Sequence, residues 1–147
     1  MFFLALLILF FSKYSVSFNA ISKLSLTAAR LCKADLCSEV VYEMPELQGN
    51  IGSIYATALK LPNEVSIAIE EQYSPLGPSD KCPSIAEAAV LSFSDKIDSL
   101  VGFFLINEKP TSSKDPFALR RSAIGLLRII IENKLSIKLR EIINYSI

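Results

Sequence analysis

The sequence predicts an all-α fold, a single irregular helical bundle without internal repeat. Three observations carry this. Apolar residues recur at three- and four-residue steps along almost the whole chain. No alternating apolar and polar run bounded by hairpin turns occurs. Prolines and an Asp-Pro pair fall where helices should open, at Pro45, Pro62, Pro83 and Asp115-Pro116. With 147 residues, 51% apolar and 20% charged, the chain has one domain's length and enough apolar side chains to exclude disorder.

The spacing predicts helices over 2–14, 19–32, 33–44, 46–59, 63–73, 83–106, 115–134 and 137–145. Met1 to Phe11 is unbroken apolar sequence followed by Ser12, Lys13 and Tyr14. Lys13 interrupts it too early for a membrane span, which needs about 20 apolar residues. A secretory signal has an apolar stretch of this length and Ser15-Val16-Ser17 would serve as a cleavage site, but no basic residue precedes the run. A buried helix is the third reading.

In the next helix Ile21, Leu24, Ala28, Leu31 and Cys32 share one face. Leu36, Val40 and Val41 continue the pattern until Pro45 forces a break. Leu47, Ile51, Ile54, Tyr55 and Ala58 mark the following helix, and Val65, Ile69 and Tyr73 the one opened by Pro62. Ser74–Cys82 is a loop rich in Pro, Gly, Ser and Asp. Ala86, Ala89, Val90, Phe93, Ile97 and Leu100 define a long helix after Pro83, and Asn107–Lys114 is a second loop. Asp115-Pro116 then places a carboxylate to accept from free N–H groups ahead of a preorganised first turn. Leu119, Ala123, Leu126, Leu127 and Ile130 form the core stripe of that helix.

Net charge is zero, but residues 1–108 carry 7 basic and 12 acidic side chains and residues 109–147 carry 8 and 3. The whole molecule is therefore no polycation, whereas its C-terminal portion suits an anionic partner or an exposed, solvated face. The chain has no His. That excludes Ser/His and Cys/His nucleophilic catalysis and removes the commonest metal ligand. Cys32, Cys37 and Cys82 are odd in number and not spaced as a zinc ribbon, so reduced cysteines are the simpler expectation. Gly49-Asn50-Ile51-Gly52 matches neither a P-loop nor a dinucleotide fingerprint and reads as a small-residue helix contact. Asp95 and Asp98 share a helix face and read as a solvated or salt-bridged pair.

Two segments are more specific. Ala29-Arg30-Leu31-Cys32-Lys33-Ala34-Asp35-Leu36 is followed by Glu43-Met44-Pro45-Glu46-Leu47-Gln48-Gly49. Ser94-Asp95-Lys96-Ile97-Asp98-Ser99-Leu100-Val101-Gly102-Phe103-Phe104 is followed by Lys109-Pro110-Thr111-Ser112-Ser113-Lys114-Asp115-Pro116-Phe117-Ala118-Leu119-Arg120-Arg121. In order and spacing these resemble the β subunit of the bacterial heterotetrameric glycyl-tRNA synthetases, over about residues 20–134. Two departures stand out: Ser112 where that family usually has glycine, and Gln72 where a His is common.

The resemblance implies a helical domain of degenerate HD type spanning 1–147, with a basic C-terminal portion at 109–147. It places Met1–Tyr14 on an early helix, which favours the buried reading of that run. The family's metal-binding positions fall on Asp35 and Asp95, and without His the ligand set is incomplete, so no catalytic residue and no metal are expected here. The resemblance further implies a share in the ATP- and Mg-dependent joining of glycine to tRNA(Gly), in the cytoplasm, with no stable membrane association. The partners it implies are the α subunit, the remaining β-subunit segments and tRNA(Gly). Catalysis is expected in the α subunit, so this chain alone should be inactive. Lys109, Lys114, Arg120, Arg121 and Arg128 are the residues that could meet RNA phosphates. Against this stands a purely structural use, in which Arg120 or Arg121 pairs with Asp95 or Asp98 and docks the helix. A membrane-associated or secreted helical protein, led by the apolar N-terminus, and a remnant of a split gene remain the other readings.

Overall fold

The computed structural model describes residues 21–146 and contains seven α-helices and no strand among them. They are α1 (Ile21–Leu31), α2 (Glu39–Glu43), α3 (Asn50–Ala58), α4 (Asn63–Glu71), α5 (Ala86–Leu105), α6 (Leu119–Glu132) and α7 (Leu139–Ser146). The expected helix over 2–14 lies outside the described residues. No helix among the described residues is long and apolar enough to cross a membrane.

α5 is the axis of the bundle and packs against α1, α4, α6 and α7. Its residues from Ala88 to Ser94 are buried without interruption, as expected of a helix surrounded on all sides. Around it lie Ala28, Ala29 and Cys32 at the end of α1, Val65, Ala68 and Ile69 of α4, Leu126 and Ile129 of α6, and Ile142 of α7. Alanines 28, 29, 88 and 89 are all buried, and such small side chains let α1 and α5 approach closely. The stripe expected on α6 is shifted. Leu119 and Leu126 are buried, but Ile129 is in the core and Leu127 is half exposed. In α3, Gly52 and Ala56 face inward, while Ile54 and Tyr55 face solvent.

The helix expected over 33–44 is divided. A 3-10 turn, Ala34–Cys37, precedes Ser38, whose Oγ accepts from Val41 N (3.3 Å) and starts α2. The helix expected from 46 opens only at Asn50, after a second 3-10 turn at Pro45–Leu47. Gly49 makes that entry with φ +83, a conformation other residues rarely adopt. The helix expected from 115 opens at Leu119. Asp115 still caps it, but from a turn further back: its Oδ1 accepts from Leu119 N (2.8 Å) and its Oδ2 from Arg120 N (3.0 Å).

Three helices end in the same way. After α3, Lys60 N donates to Thr57 O (2.9 Å) and Leu61 N to Ala56 O (3.1 Å). After α5, Asn107 N donates to Phe104 O and Glu108 N to Phe103 O. After α6, Lys134 N donates to Ile131 O and Leu135 N to Ile130 O. These are Schellman motifs built at left-handed Lys60, Asn107 and Lys134 (φ 57, 65 and 52), without the usual glycine.

Candidate functional site

The basic residues singled out in the sequence gather where the loop after α5 meets the start of α6. Phe103 and Phe117 stack at 4.0 Å and fix the loop against the end of α5. Thr111 and Lys114 close the loop on themselves: Thr111 N donates to Lys114 O (2.8 Å) and Lys114 N to Thr111 Oγ1 (3.2 Å). The Asp115 carboxyl is held below the ordinary carboxylate range by the N–H of Arg120 first, then that of Leu119.

Each expected cation has a distinct setting. Lys109 and Lys114 are exposed. The Arg120 guanidinium folds back onto the carbonyl oxygen of Thr111. Arg121 is exposed, and its charge helps to lower the Asp115 carboxyl. Arg128 is engaged structurally: its Nη1 donates to the carbonyls of Gly77 and Pro78 (both 3.1 Å), its Nη2 to that of Asp80 (2.8 Å), and its Nε meets Glu132 Oε1 at 2.8 Å. It binds the Ser74–Cys82 loop to α6. Asp80 tightens that loop, since its Oδ2 accepts from Leu76 N (3.0 Å) and Gly77 N (2.8 Å). Among the described residues neither Arg120 nor Arg121 forms an ion pair with Asp95 or Asp98: Arg120 is turned to Thr111, and Asp95 already has a cation.

That cation is Lys33. Its Nζ lies 2.8 Å from Asp95 Oδ1 and 4.1 Å from the centre of the Tyr73 ring. Burial opposes its charge, but Asp95 prevails and holds the amine above its usual pKa. Asp35 has a different task. It is fully buried, and its Oδ2 accepts from Gly49 N (2.6 Å) and Gly52 N (3.3 Å), the free donors at the start of α3. The motif containing Asp35 and the motif ending at Gly49 thus meet in space. Gly52 is a small-residue contact, as expected: a Cβ there would stand 2.8 Å from Ile69 Cγ2 and 3.2 Å from Asp35 Oδ2. Among the described residues no group of three or more His, Cys, Asp and Glu side chains could hold a metal ion.

Three residues whose buried polar groups bond across elements have no structural task in the sequence reading. Gln72 is fully buried and its Nε2 donates to Cys32 O (2.6 Å) and Ile69 O (2.9 Å), tying α1 to α4. Ser92 Oγ donates to Ser74 O, at the start of the cis Ser74–Pro75 bond. Lys96 is only 6% exposed and its Nζ donates to Tyr73 O (2.9 Å). Burial lowers its pKa to about 8. A signal for Lys96 was present: it lies three residues after Phe93 and four before Leu100, on the apolar face of α5.

Clefts adjoin these groups. The more polar one, of about 150 Å³ and with a mixed lining, lies between the Tyr73–Leu76 segment, α5 and the first turn of α6. A second, of about 240 Å³, lies between Pro75, Pro78 and the α6 residues Ile124 and Gly125. An apolar groove of about 510 Å³ opens between α5, α6 and α7, beside Leu100, Phe104, Leu127 and Ile143.

Comparison with known proteins gives a consistent result. A family model described as "Glycyl-tRNA synthetase beta subunit" matches residues 7–147. The chain is 53% identical to a glycine–tRNA ligase β subunit of Ruegeria sp. (strain TM1040) over 115 residues, 78% of this chain and 17% of that one. It is 52% identical to the protein of that name from Rickettsia peacockii (strain Rustic) over 122 residues, 83% of this chain and 18% of the other. With that of Rickettsia canadensis (strain McKiel) it shares 54% identity over 120 residues, 82% and 18% of the two chains. The matched region spans less than a fifth of the length of these curated relatives.

Proposed function

Because the chain belongs to the glycyl-tRNA synthetase β-subunit family, we propose that it contributes to the ATP- and Mg-dependent attachment of glycine to tRNA(Gly) as an RNA-facing or scaffold domain. It supplies no catalytic group of its own. The α subunit and the rest of a β subunit would be its partners, and the cytoplasm its compartment. Family membership favours this over a membrane-associated or secreted protein.

The observation that supports an RNA-facing role is the basic corner. Lys109, Lys114, Arg120 and Arg121 are all exposed, and Arg121 acts on the Asp115 carboxyl by its charge without closing an ion pair among the described residues. Arg128 is omitted because its guanidinium holds the Ser74–Cys82 loop. A cation left unpaired beside an otherwise acidic body is suited to phosphate, and its contribution should weaken with salt.

The test is fluorescence-anisotropy titration of the full chain with labelled tRNA(Gly) at several salt concentrations. Log affinity should fall linearly with log salt. Arg121→Glu together with Lys109→Glu should weaken binding at least tenfold and flatten that slope, while the unfolding midpoint stays unchanged. Binding that is absent, or indifferent to both salt and these substitutions, would remove the RNA-facing role.

A further inference from the structure

The two clefts on either side of Arg121 share Pro75 as well as Arg121 itself, so they are adjoining compartments. We propose that together they form a nucleotide site, with the phosphate in the polar compartment and the base in the other. This rests on the RNA-facing reading, in which the nucleotide is an unpaired one of the tRNA.

The polar compartment brings Lys96, Arg121, Ser99 and Ser122 to one space. At about 150 Å³ it has room for roughly five water molecules, at ~30 Å³ each, and so for a phosphate group. Lys96 is the central observation. It is 94% removed from solvent, yet among the described residues it has no carboxylate within ion-pair distance, and its Nζ donates to Tyr73 O. An ammonium carries three N–H groups. Buried charge without a counter-ion is unfavourable, and an entering phosphate oxygen would supply the missing charge. Asp95 also lines this compartment, but Lys33 at 2.8 Å balances it. The charges facing Lys96 are therefore Asp95 with its Lys33 partner and, more weakly, the Cys82 thiol. Arg121 adds a second cation to the lining, one that also acts on the Asp115 carboxyl.

The second compartment, about 240 Å³, is walled by Pro75, Pro78 and Ile124, of which Ile124 is 56% exposed. Gly125 lets the Lys96 side chain and the Pro75 backbone pack closely on α6 where the two compartments meet, since a Cβ there would stand 2.9 Å from Lys96 Cε and 3.2 Å from Pro75 O. A guanidinium plane offers a base a stacking surface, as in many sites for single-stranded nucleotides, and the proline rings add apolar contact. Arg128 contributes a fixed wall, because the carbonyls of Gly77, Pro78 and Asp80 hold its guanidinium.

The experiment follows the Lys96 side chain by NMR of the full chain carrying ¹³C-labelled lysine. Its Cε resonance is titrated with pH alone, with inorganic phosphate, and with adenosine or uridine 5′-monophosphate. A bound nucleotide should raise the Lys96 titration midpoint by about one unit, and phosphate alone should need at least tenfold more ligand. Arg121→Gln should abolish the nucleotide effect without altering the unfolding midpoint. An unmoved Lys96 resonance overturns the site. Equal potency of phosphate and nucleotide also overturns it, by reducing it to an anion site. A parallel titration with tRNA(Gly) separates the two readings. If Lys109 and Lys114 respond while Lys96 does not, the nucleotide site fails and the RNA-facing surface stands. If Lys96 responds to mononucleotides but no lysine responds to tRNA, the clefts bind a nucleotide, but its assignment to the tRNA fails together with the RNA-facing role.

Discussion

Adding one methyl group at three helical glycines should have three different outcomes. Glycine inside a helix costs about 0.8–1.0 kcal/mol relative to alanine, so Gly→Ala begins with a gain of that order. At Gly102, in α5, a new Cβ meets nothing within 4 Å, and the full gain of about 0.8–1.0 kcal/mol should appear. At Gly52 the Cβ would stand 2.8 Å from Ile69 Cγ2, and Ile69 is 1% exposed and cannot withdraw. Overpacking of this kind costs about 1–3 kcal/mol, and the same methyl crowds Asp35 Oδ2, which caps α3. The net should be a loss of about 1–2 kcal/mol. Gly125 is intermediate. Its nearest atom belongs to flexible Lys96, but the next is the backbone oxygen of Pro75 at 3.2 Å, so a loss of about 1 kcal/mol is expected. Urea unfolding followed by circular dichroism at 222 nm measures all three against the parent chain. A difference of 1 kcal/mol corresponds to roughly 3 °C in a thermal scan of a chain this size. Should Gly52→Ala prove as stable as Gly102→Ala, the close approach of α3, α4 and Asp35 is wrong.

Lys60→Gly and Lys134→Gly should each stabilise by a few tenths to 1 kcal/mol in the same assay: relief of the left-handed strain is about 1–2 kcal/mol, of which glycine's larger unfolded-state entropy takes back about 0.5–1. Lys96 should make the chain more stable as pH rises from 8 to 9. Its folded pKa of about 8 lies below the unfolded value, so in that window the unfolded chain binds the extra proton and rising pH favours the fold. Lys96→Met should remove that rise. Above pH 9 the thiols of Cys32 and Cys82, raised to about 11 in the fold, act in the opposite direction. Arg128→Ala should free the Ser74–Cys82 loop, seen as faster amide exchange and proteolysis confined to that loop; unchanged protection would deny Arg128 its role.

The helical class and the existence of each described helix were legible because they depend on periodicity, which is local. The errors fall where distant residues intervene. The helix expected over 33–44 divides because Asp35 turns inward to residues 14 and 17 positions further on, and no local pattern encodes that. Leu127 and Ile129 exchange places because α6 leaves an apolar stripe, Ile124, Leu127 and Ile131, on the surface, so hydrophobicity alone did not mark the buried side. The Schellman ends were invisible because Lys60 and Lys134 stand where glycine is the usual sign. Among the charged residues, the exposure of Lys109, Lys114, Arg120 and Arg121 agrees with their sequence setting. The structural use of Arg128 does not follow from it, since its carbonyl partners lie about 50 residues away.

Gln72 has a consequence for what the α1–α4 junction can tolerate. Two carbonyl oxygens, of Cys32 and Ile69, converge on a single nitrogen. A primary amide has two hydrogens on that atom and answers both. An imidazole placed there has one hydrogen per nitrogen and, uncharged, only one in all. Histidine could therefore satisfy one carbonyl and would leave the other bare, or would need to acquire a proton in a site without solvent. With glutamine the junction is electrically silent, its bonding identical on either side of neutrality. Acidification that would loosen a histidine-locked helix pair leaves this one untouched.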